Sequence, residues 1–73
     1  MNDITYSHYL GLKYKEVLAL VQAQGIDKAV NAADDLETSA RVYGGGREGQ
    51  IYRRASKLIL RAVSEIEENE TDE

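Results

Sequence analysis

The chain has 73 residues and a formal net charge of −4, and 42% of its residues are hydrophobic. This length allows one small domain, and 17 isoleucine, leucine and valine residues allow only a small core. Without cysteine the chain has no disulfide and no thiolate metal site, and its single histidine cannot build a histidine-based zinc site without carboxylate ligands. No apolar run approaches a membrane span, and the first residues lack the pattern of a signal peptide. We therefore expect a soluble, non-enzymatic binding protein with no cofactor, no metal and no membrane partner.

Charge is divided unevenly along the chain. Residues 1–40 carry a net charge of −3, residues 41–61 carry +5 and residues 62–73 carry −6. Such asymmetry indicates a polar interaction surface beside an acidic tail, although charged helices that only keep a protein soluble would give a similar pattern. The acidic tail repels phosphate, so we expect no direct sequence-specific binding to DNA.

Residues 1–12 form a segment that we call the N-terminal arm, in which apolar and polar residues alternate. This period-two pattern from Ile4 to Leu12, together with tyrosine and threonine, predicts an extended backbone. An unpaired strand cannot satisfy its own backbone hydrogen bonds, so we expect the arm to be flexible in the free protein. Its aromatic side chains would then be available to a partner; alternatively, they lie over a small helical core.

Three helices are predicted after the arm, which makes the fold class all-α. Apolar side chains at helical spacing predict a first helix over residues 13–24, which Gly25 ends. Asp27 is a typical N-cap residue and predicts a second, alanine-rich helix over residues 27–42. The glycine-rich stretch 44–49 is interpreted as a flexible connection.

The third helix has the clearest pattern and is predicted over residues 50–67. Apolar residues recur at i, i+4, i+7 and i+8 from Ile51 to Ile66. Acidic residues accumulate after this helix and oppose its dipole, so we expect a disordered acidic tail over residues 68–73. The core predicted for the helical domain, residues 13–67, consists of Val17, Leu18, Val21, Val30, Leu36, Leu58, Ile59 and Ile66.

Catalytic chemistry is not predicted from any group of polar residues. Ser7 and His8 point to opposite faces of an extended segment, so they do not form a nucleophile and base pair. Asp34 and Asp35 diverge by about 100° around a helix axis and lack both a calcium-loop pattern and the geometry of an acid/base pair. A solvated helix face explains these acids better.

Basic residues of the third helix have a more informative spacing. Arg54 and Arg61 are seven residues apart and Lys57 lies between them, so the three share one side of the helix. Arg47 continues this spacing if the helix begins early, and Arg53 lies four residues before Lys57. We call these five residues the basic face. Because arginine suits bidentate contacts, the face is interpreted as a site for an acidic protein surface or for single-stranded nucleic acid stacked on tyrosine. An alternative is neutralisation within the chain by Glu48, Asp34, Asp35 and Glu65.

Taken as a whole, the chain resembles the small RNA-polymerase-binding regulators of lytic Xanthomonas phages. The resemblance rests on the length of 73 residues, the aromatic segment ITYSHYLGL, the helical segments and the acidic tail. It implies a non-enzymatic protein that binds the N-terminal region of the β′ subunit of bacterial RNA polymerase in the host cytoplasm. It also implies inhibition of host transcription initiation, by disfavouring the σ-containing enzyme, and promotion of transcription antitermination.

Protein binding is therefore assigned to two surfaces, the N-terminal arm and the basic face, in a protein expected to be a monomer when free. Two separate contacts on one small protein gain affinity through effective concentration. The alternative function is a small helical nucleic-acid-binding or antitoxin-like repressor module that uses the basic face. The predicted binding residues are Ile4, Tyr6, His8, Tyr9, Leu10, Arg47, Arg53, Arg54, Lys57 and Arg61.

Overall fold

The computed structural model describes residues 5–71, and the side chains of residues 5–69. These residues form one 3-10 helix and three α-helices, so the predicted all-α fold class is confirmed for them. No described helix is long and apolar enough to cross a membrane. The elements in chain order are the 3-10 helix η1 (Tyr6–Tyr9), α1 (Tyr14–Gln24), α2 (Ile26–Tyr43) and α3 (Arg47–Thr71).

Gly25 alone separates α1 from α2. Its φ of 100° lies in a region that favours glycine. The Gly25 N–H donates to the Val21 carbonyl at 2.8 Å, and the Gly25 carbonyl accepts from the Ala29 N–H at 3.0 Å. One residue therefore ends α1 and begins α2, and Asp27, the predicted N-cap, lies inside the first turn of α2.

α2 and α3 form an antiparallel pair, because only the three residues 44–46 join them. Ser56 on α3 is buried and donates a hydrogen bond to the Ala33 carbonyl of α2 at 3.0 Å. Gly49, which the sequence pattern places in the connection, lies in the first turn of α3 and packs against the backbone of Gly44. A Cβ at this position would overlap the Gly44 carbonyl oxygen, so the close approach requires glycine.

The core lies where α1 and η1 cover the pair formed by α2 and α3. Fully buried members of the predicted core are Val17, Val21, Leu36 and Ile59, and partly buried members are Leu18, Leu58 and Ile66. The prediction for Val30 is wrong, because its side chain is 40% exposed. α2 instead presents a stripe of small side chains that begins at Ala29 and Ala33, and the larger Val30 lies outside this stripe.

The backbone of the N-terminal arm is not extended at residues Tyr6–Tyr9, which form the 3-10 helix η1. Tyr9 is fully buried, and its hydroxyl donates a hydrogen bond to Oε1 of Gln24 at 2.5 Å. The backbone N–H of Thr5 donates to Nδ1 of His8 at 3.0 Å, which closes the turn locally. The predicted extended conformation is wrong for Tyr6–Tyr9, because burial of a tyrosine ring outweighs the strand propensity of a segment that has no neighbouring strand among residues 5–71.

α3 continues past its predicted end at residue 67 and reaches Thr71. The part of the predicted disordered tail between residues 68 and 71 is therefore helical, and residues 72–73 lie outside the described residues. Each residue added to an existing helix gains a backbone hydrogen bond, so the helix propagates even where acids oppose its dipole.

Candidate interaction surface

The basic face is a continuous exposed side of α3. Because α3 begins at Arg47, the residues Arg47, Arg54 and Arg61 recur every seven positions on one side of the helix. At 1.5 Å per residue they span about 21 Å along the axis. Lys57 and Arg53 complete the face, and all five side chains are exposed.

Ion pairing among the described side chains involves residues other than the basic face. Among the described side chains, the ion pair with N···O within 4 Å joins Arg41 to Glu37 at 3.9 Å, and neither residue belongs to the face. This pair is exposed and contributes little to stability. Within residues 5–69, none of the acids considered as neutralising partners makes such an ion pair with the face; these acids are Glu48, Asp34, Asp35 and Glu65.

Tyr14 of α1 positions one end of the basic face. The Arg61 guanidinium lies 4.8 Å from the centre of the Tyr14 ring, and the Tyr14 hydroxyl donates to Oε1 of Glu65 at 2.6 Å. The hydrogen bond to Glu65, burial and the negative charge of Glu65 raise the pKa of Tyr14, while the charge of Arg61 lowers it. Tyr14 therefore links α1 to the C-terminal half of α3 and restrains the Arg61 side chain.

Residues predicted for binding in the N-terminal arm are dispersed by the structure. Tyr6 and His8 are exposed, whereas Leu10 is partly buried against the core. Tyr9 is fully buried, and burial raises its pKa. Its ring therefore belongs to the core and is not exposed at the surface, while Ile4 lies outside the described residues.

A tyrosine cluster that the sequence did not predict lies at the end of the molecule near the connection 44–46. The ring centres of Tyr43 and Tyr52 are 5.5 Å apart, with the rings tilted by 35°. Burial raises the pKa of Tyr52, and the charges of Tyr43, Glu48 and Tyr6 add to this effect. The two rings come from α2 and α3, so no local sequence pattern could reveal their contact.

An apolar cleft joins the N-terminal arm to the basic face. Its lining includes Tyr9, Gly11 and Leu12 from the arm and Ile51, Arg54 and Leu58 from α3. Ile51 belongs to the apolar stripe of the sequence, yet it is 41% exposed because it lies at the margin of the packed side of α3. A second, open cleft on the outer side of α3 is lined by Gln50, Arg53, Arg54, Lys57 and Leu58.

These two clefts share Arg54 and Leu58, so the surfaces predicted separately from the sequence meet at these two residues.

In the part of the chain that the structure describes, no group of three or more histidine, aspartate or glutamate side chains could hold a metal ion. No protein-family model matches the chain, no curated protein matches its sequence, and no solved structure matches its fold.

Proposed function

We propose that the chain is a non-enzymatic regulator that binds another protein through its basic face. The observation that carries this proposal is the set of five exposed basic side chains on α3 that make no ion pair within the described part of the chain. Unpaired arginines in a fixed row suit carboxylates of a partner, because each guanidinium can form two parallel hydrogen bonds.

The position of these charges along α3 supports a binding role. Basic residues crowd the N-terminal half of the helix from Arg47, and acids occupy its C-terminal half from Glu65. A helix dipole favours the opposite arrangement, by about 0.3–1 kcal/mol for each exposed charge in a terminal turn. Of the basic face only Arg47 lies in the first turn, beside the favourably placed Glu48, and no basic residue lies in the last turn. The dipole therefore does not account for the other basic residues of α3, and recognition of an acidic partner is the role that we propose for them.

The proposed partner is bacterial RNA polymerase, at the N-terminal region of its β′ subunit. This identity rests on the resemblance of the chain to phage polymerase regulators, and the basic face supplies a surface of suitable chemistry. Bound there, the protein would act in the host cytoplasm, inhibit initiation by disfavouring the σ-containing enzyme, and promote antitermination. Arginine and tyrosine, both exposed here, are common among residues that dominate binding energy at protein interfaces.

Reversal of charge on the basic face tests this proposal. The double variant Arg54→Glu with Lys57→Glu should lower the rate of association with purified polymerase by about tenfold or more at low salt, because steering by opposite charges is lost. The difference should shrink as salt rises, since ions screen charges over about 10 Å at 0.1 M. The association rate is measured by passing each variant over polymerase immobilised on a sensor surface. Inhibition is measured as the loss of promoter-dependent transcription in vitro.

Lys15→Glu with Lys28→Glu is the matched control, because it makes the same change of net charge at two exposed positions on α1 and α2. This control should associate nearly as fast as the unchanged protein. Helical circular dichroism of both double variants confirms that they fold. Equal association of the two double variants would remove the basic face from the proposal, and no binding of the unchanged protein would remove polymerase as the partner.

Nucleic-acid binding is the second candidate, and the same row of basic side chains favours it. A random-sequence DNA duplex at two salt concentrations distinguishes the two functions. A DNA-binding protein would bind this duplex at low salt and lose affinity steeply as salt rises, by roughly one counterion for each neutralised phosphate.

A further inference from the structure

The two clefts that meet at Arg54 and Leu58 form one surface with a defined chemistry, which we call the basic–apolar groove. Its floor is apolar, because Ile51 and Leu58 of α3 and Leu12 of the N-terminal arm present their side chains there. Its rim is basic, because Arg54 and neighbouring residues of the second cleft line the outer side of α3. The described residues place an apolar floor directly beside positive charge.

We propose that the basic–apolar groove binds an acidic peptide segment that carries one large apolar side chain. The apolar side chain enters the cleft beside Ile51 and Leu58, and acidic side chains on both sides of it face Arg54 and Lys57. This inference rests on the proposed protein-binding function and names the class of segment that the partner supplies. The positive charge of the rim favours acidic side chains in the peptide, and the exposed apolar floor favours the single large apolar side chain, which serves as its anchor.

The positions of the tyrosines favour this occupant over single-stranded nucleic acid. Binding of single strands requires aromatic side chains along the charged path, on which successive bases stack. One face of the Tyr14 ring is covered by Arg61. Tyr9 lines the first cleft, but its fully buried ring is a single aromatic group and not a row on which successive bases could stack. Tyr43 and Tyr52 pack on each other at the end of the molecule near the connection 44–46. The groove itself therefore offers leucine and isoleucine, which suit an apolar side chain and not a row of bases.

The length of the basic face sets the length of a suitable probe. The face extends about 21 Å, and an extended peptide rises about 3.3 Å per residue, so about seven residues span it. The probe is an acetylated, amidated peptide of this length with one central leucine flanked by glutamates. The matched peptide has alanine in place of the leucine, and an oligothymidylate of similar length represents nucleic acid.

Titration of the ¹⁵N-labelled full chain, followed by two-dimensional NMR, detects weak binding and locates it. The leucine peptide should shift the amide signals of Leu12, Ile51 and Leu58, and the alanine peptide should bind about fivefold more weakly because less apolar surface is buried. Equal binding of the two peptides would overturn the apolar anchor. Binding of the oligothymidylate alone, or of no probe, would overturn the proposal as a whole.

Two variants of matched exposure test the floor of the groove. Ile51→Ala removes an apolar side chain that is 41% exposed inside the groove, and Leu60→Ala removes one that is 47% exposed outside it on the same helix. Ile51→Ala should weaken binding of the leucine peptide about fivefold, and Leu60→Ala should leave it unchanged. Arg54→Gln tests the rim without changing the core, and should weaken both peptides alike. An unchanged affinity in Ile51→Ala or in Arg54→Gln would contradict the proposed groove.

The same variants separate this inference from the proposed polymerase binding. Peptide binding without polymerase binding would leave the groove assigned and remove polymerase as its partner. Polymerase binding that Ile51→Ala leaves unchanged, together with no peptide binding, would retain the proposed function and overturn the groove.

Discussion

Tyr9 connects the N-terminal arm to the body of the protein through one buried ring and one hydrogen bond. The ring is fully buried, and the hydroxyl donates to Gln24, which lies 15 residues later at the end of α1. Removal of a hydroxyl from such a site costs about 0.5–1.5 kcal/mol, whereas removal of a whole buried aromatic side chain costs about 3–5 kcal/mol. Most of the stabilisation therefore comes from burial of the ring, and the hydrogen bond from the hydroxyl to Gln24 fixes the orientation of the side chain.

The raised pKa of Tyr9 predicts a loss of stability at alkaline pH. Burial raises this pKa above its unfolded value of about 10, so the stabilisation is complete below pH 10 and is lost as pH rises through the folded pKa. Tyr9→Phe should cost about 0.5–1.5 kcal/mol at neutral pH and show a smaller alkaline loss than the unchanged protein. Urea unfolding at neutral pH and at about pH 11, followed by helical circular dichroism, measures both effects.

Tyr6→Phe is the control for this measurement, because the Tyr6 side chain is 39% exposed whereas that of Tyr9 is fully buried. Part of the alkaline loss should remain in Tyr9→Phe, since Tyr14 and Tyr52 also have raised pKa values. An alkaline loss in Tyr9→Phe as large as in the unchanged protein would contradict the role of Tyr9.

At the scale of elements, the junction between α2 and α3 depends on one glycine inside a helix. Alanine normally stabilises a helix interior by about 1 kcal/mol relative to glycine. Gly49→Ala should instead destabilise the protein, by about 1–3 kcal/mol, because the new Cβ would overlap the Gly44 carbonyl oxygen and push the helices apart. Gly45→Ala is the matched control, since nothing lies within 4 Å of a Cβ at that position. Urea unfolding compares the two variants, and a stabilised Gly49→Ala would show that the close approach is absent.

Helix existence was largely predictable from the sequence, and the errors lie at particular residues. Gly25 is a true stop because the backbone needs a positive φ there, so the predicted break between α1 and α2 is confirmed. Gly49 looks like part of the same kind of break, but it is a contact glycine inside α3, and only the position of Gly44 in space reveals this. The core prediction for Val30 was wrong because it favoured the larger side chain. The alanines of α2 are buried instead, and their small size allows α2 and α3 to approach each other closely.

The candidate surface was predictable in part for a similar reason. The spacing of arginines along a helix is a local pattern, so the shared side of Arg54, Lys57 and Arg61 follows from the sequence. The apolar cleft beside it was not predictable, because its walls come from the N-terminal arm and from α3, which are far apart in the chain. The burial of Tyr9 is likewise a tertiary effect, since an exposed and a buried tyrosine look alike in a pattern of alternating residues.

At the scale of the whole molecule, α3 divides the surface charge between its two ends. The principal dimension of the protein is 43 Å, and α3, with 25 residues, extends along most of such a length at 1.5 Å per residue. Its basic half lies beside the N-terminal arm, and its acidic half extends past the contact with α1. A partner that carries acidic groups is thus attracted to one half and repelled by the other, which sets its orientation before contact.

This division implies that binding and stability oppose each other at the start of α3. Arg47→Glu places a negative charge in the first turn of α3, where the helix dipole favours it, and should stabilise the protein by about 0.3–1 kcal/mol in urea unfolding. The same variant removes one positive charge of the basic face and adds a negative one, so association with polymerase should slow. Lys28→Glu makes the same change in the first turn of α2, away from the basic face, and should gain stability without slower association. A slower association of both variants to the same extent would mean that net charge alone governs binding, whereas slower association of Arg47→Glu alone locates the contact at the start of α3.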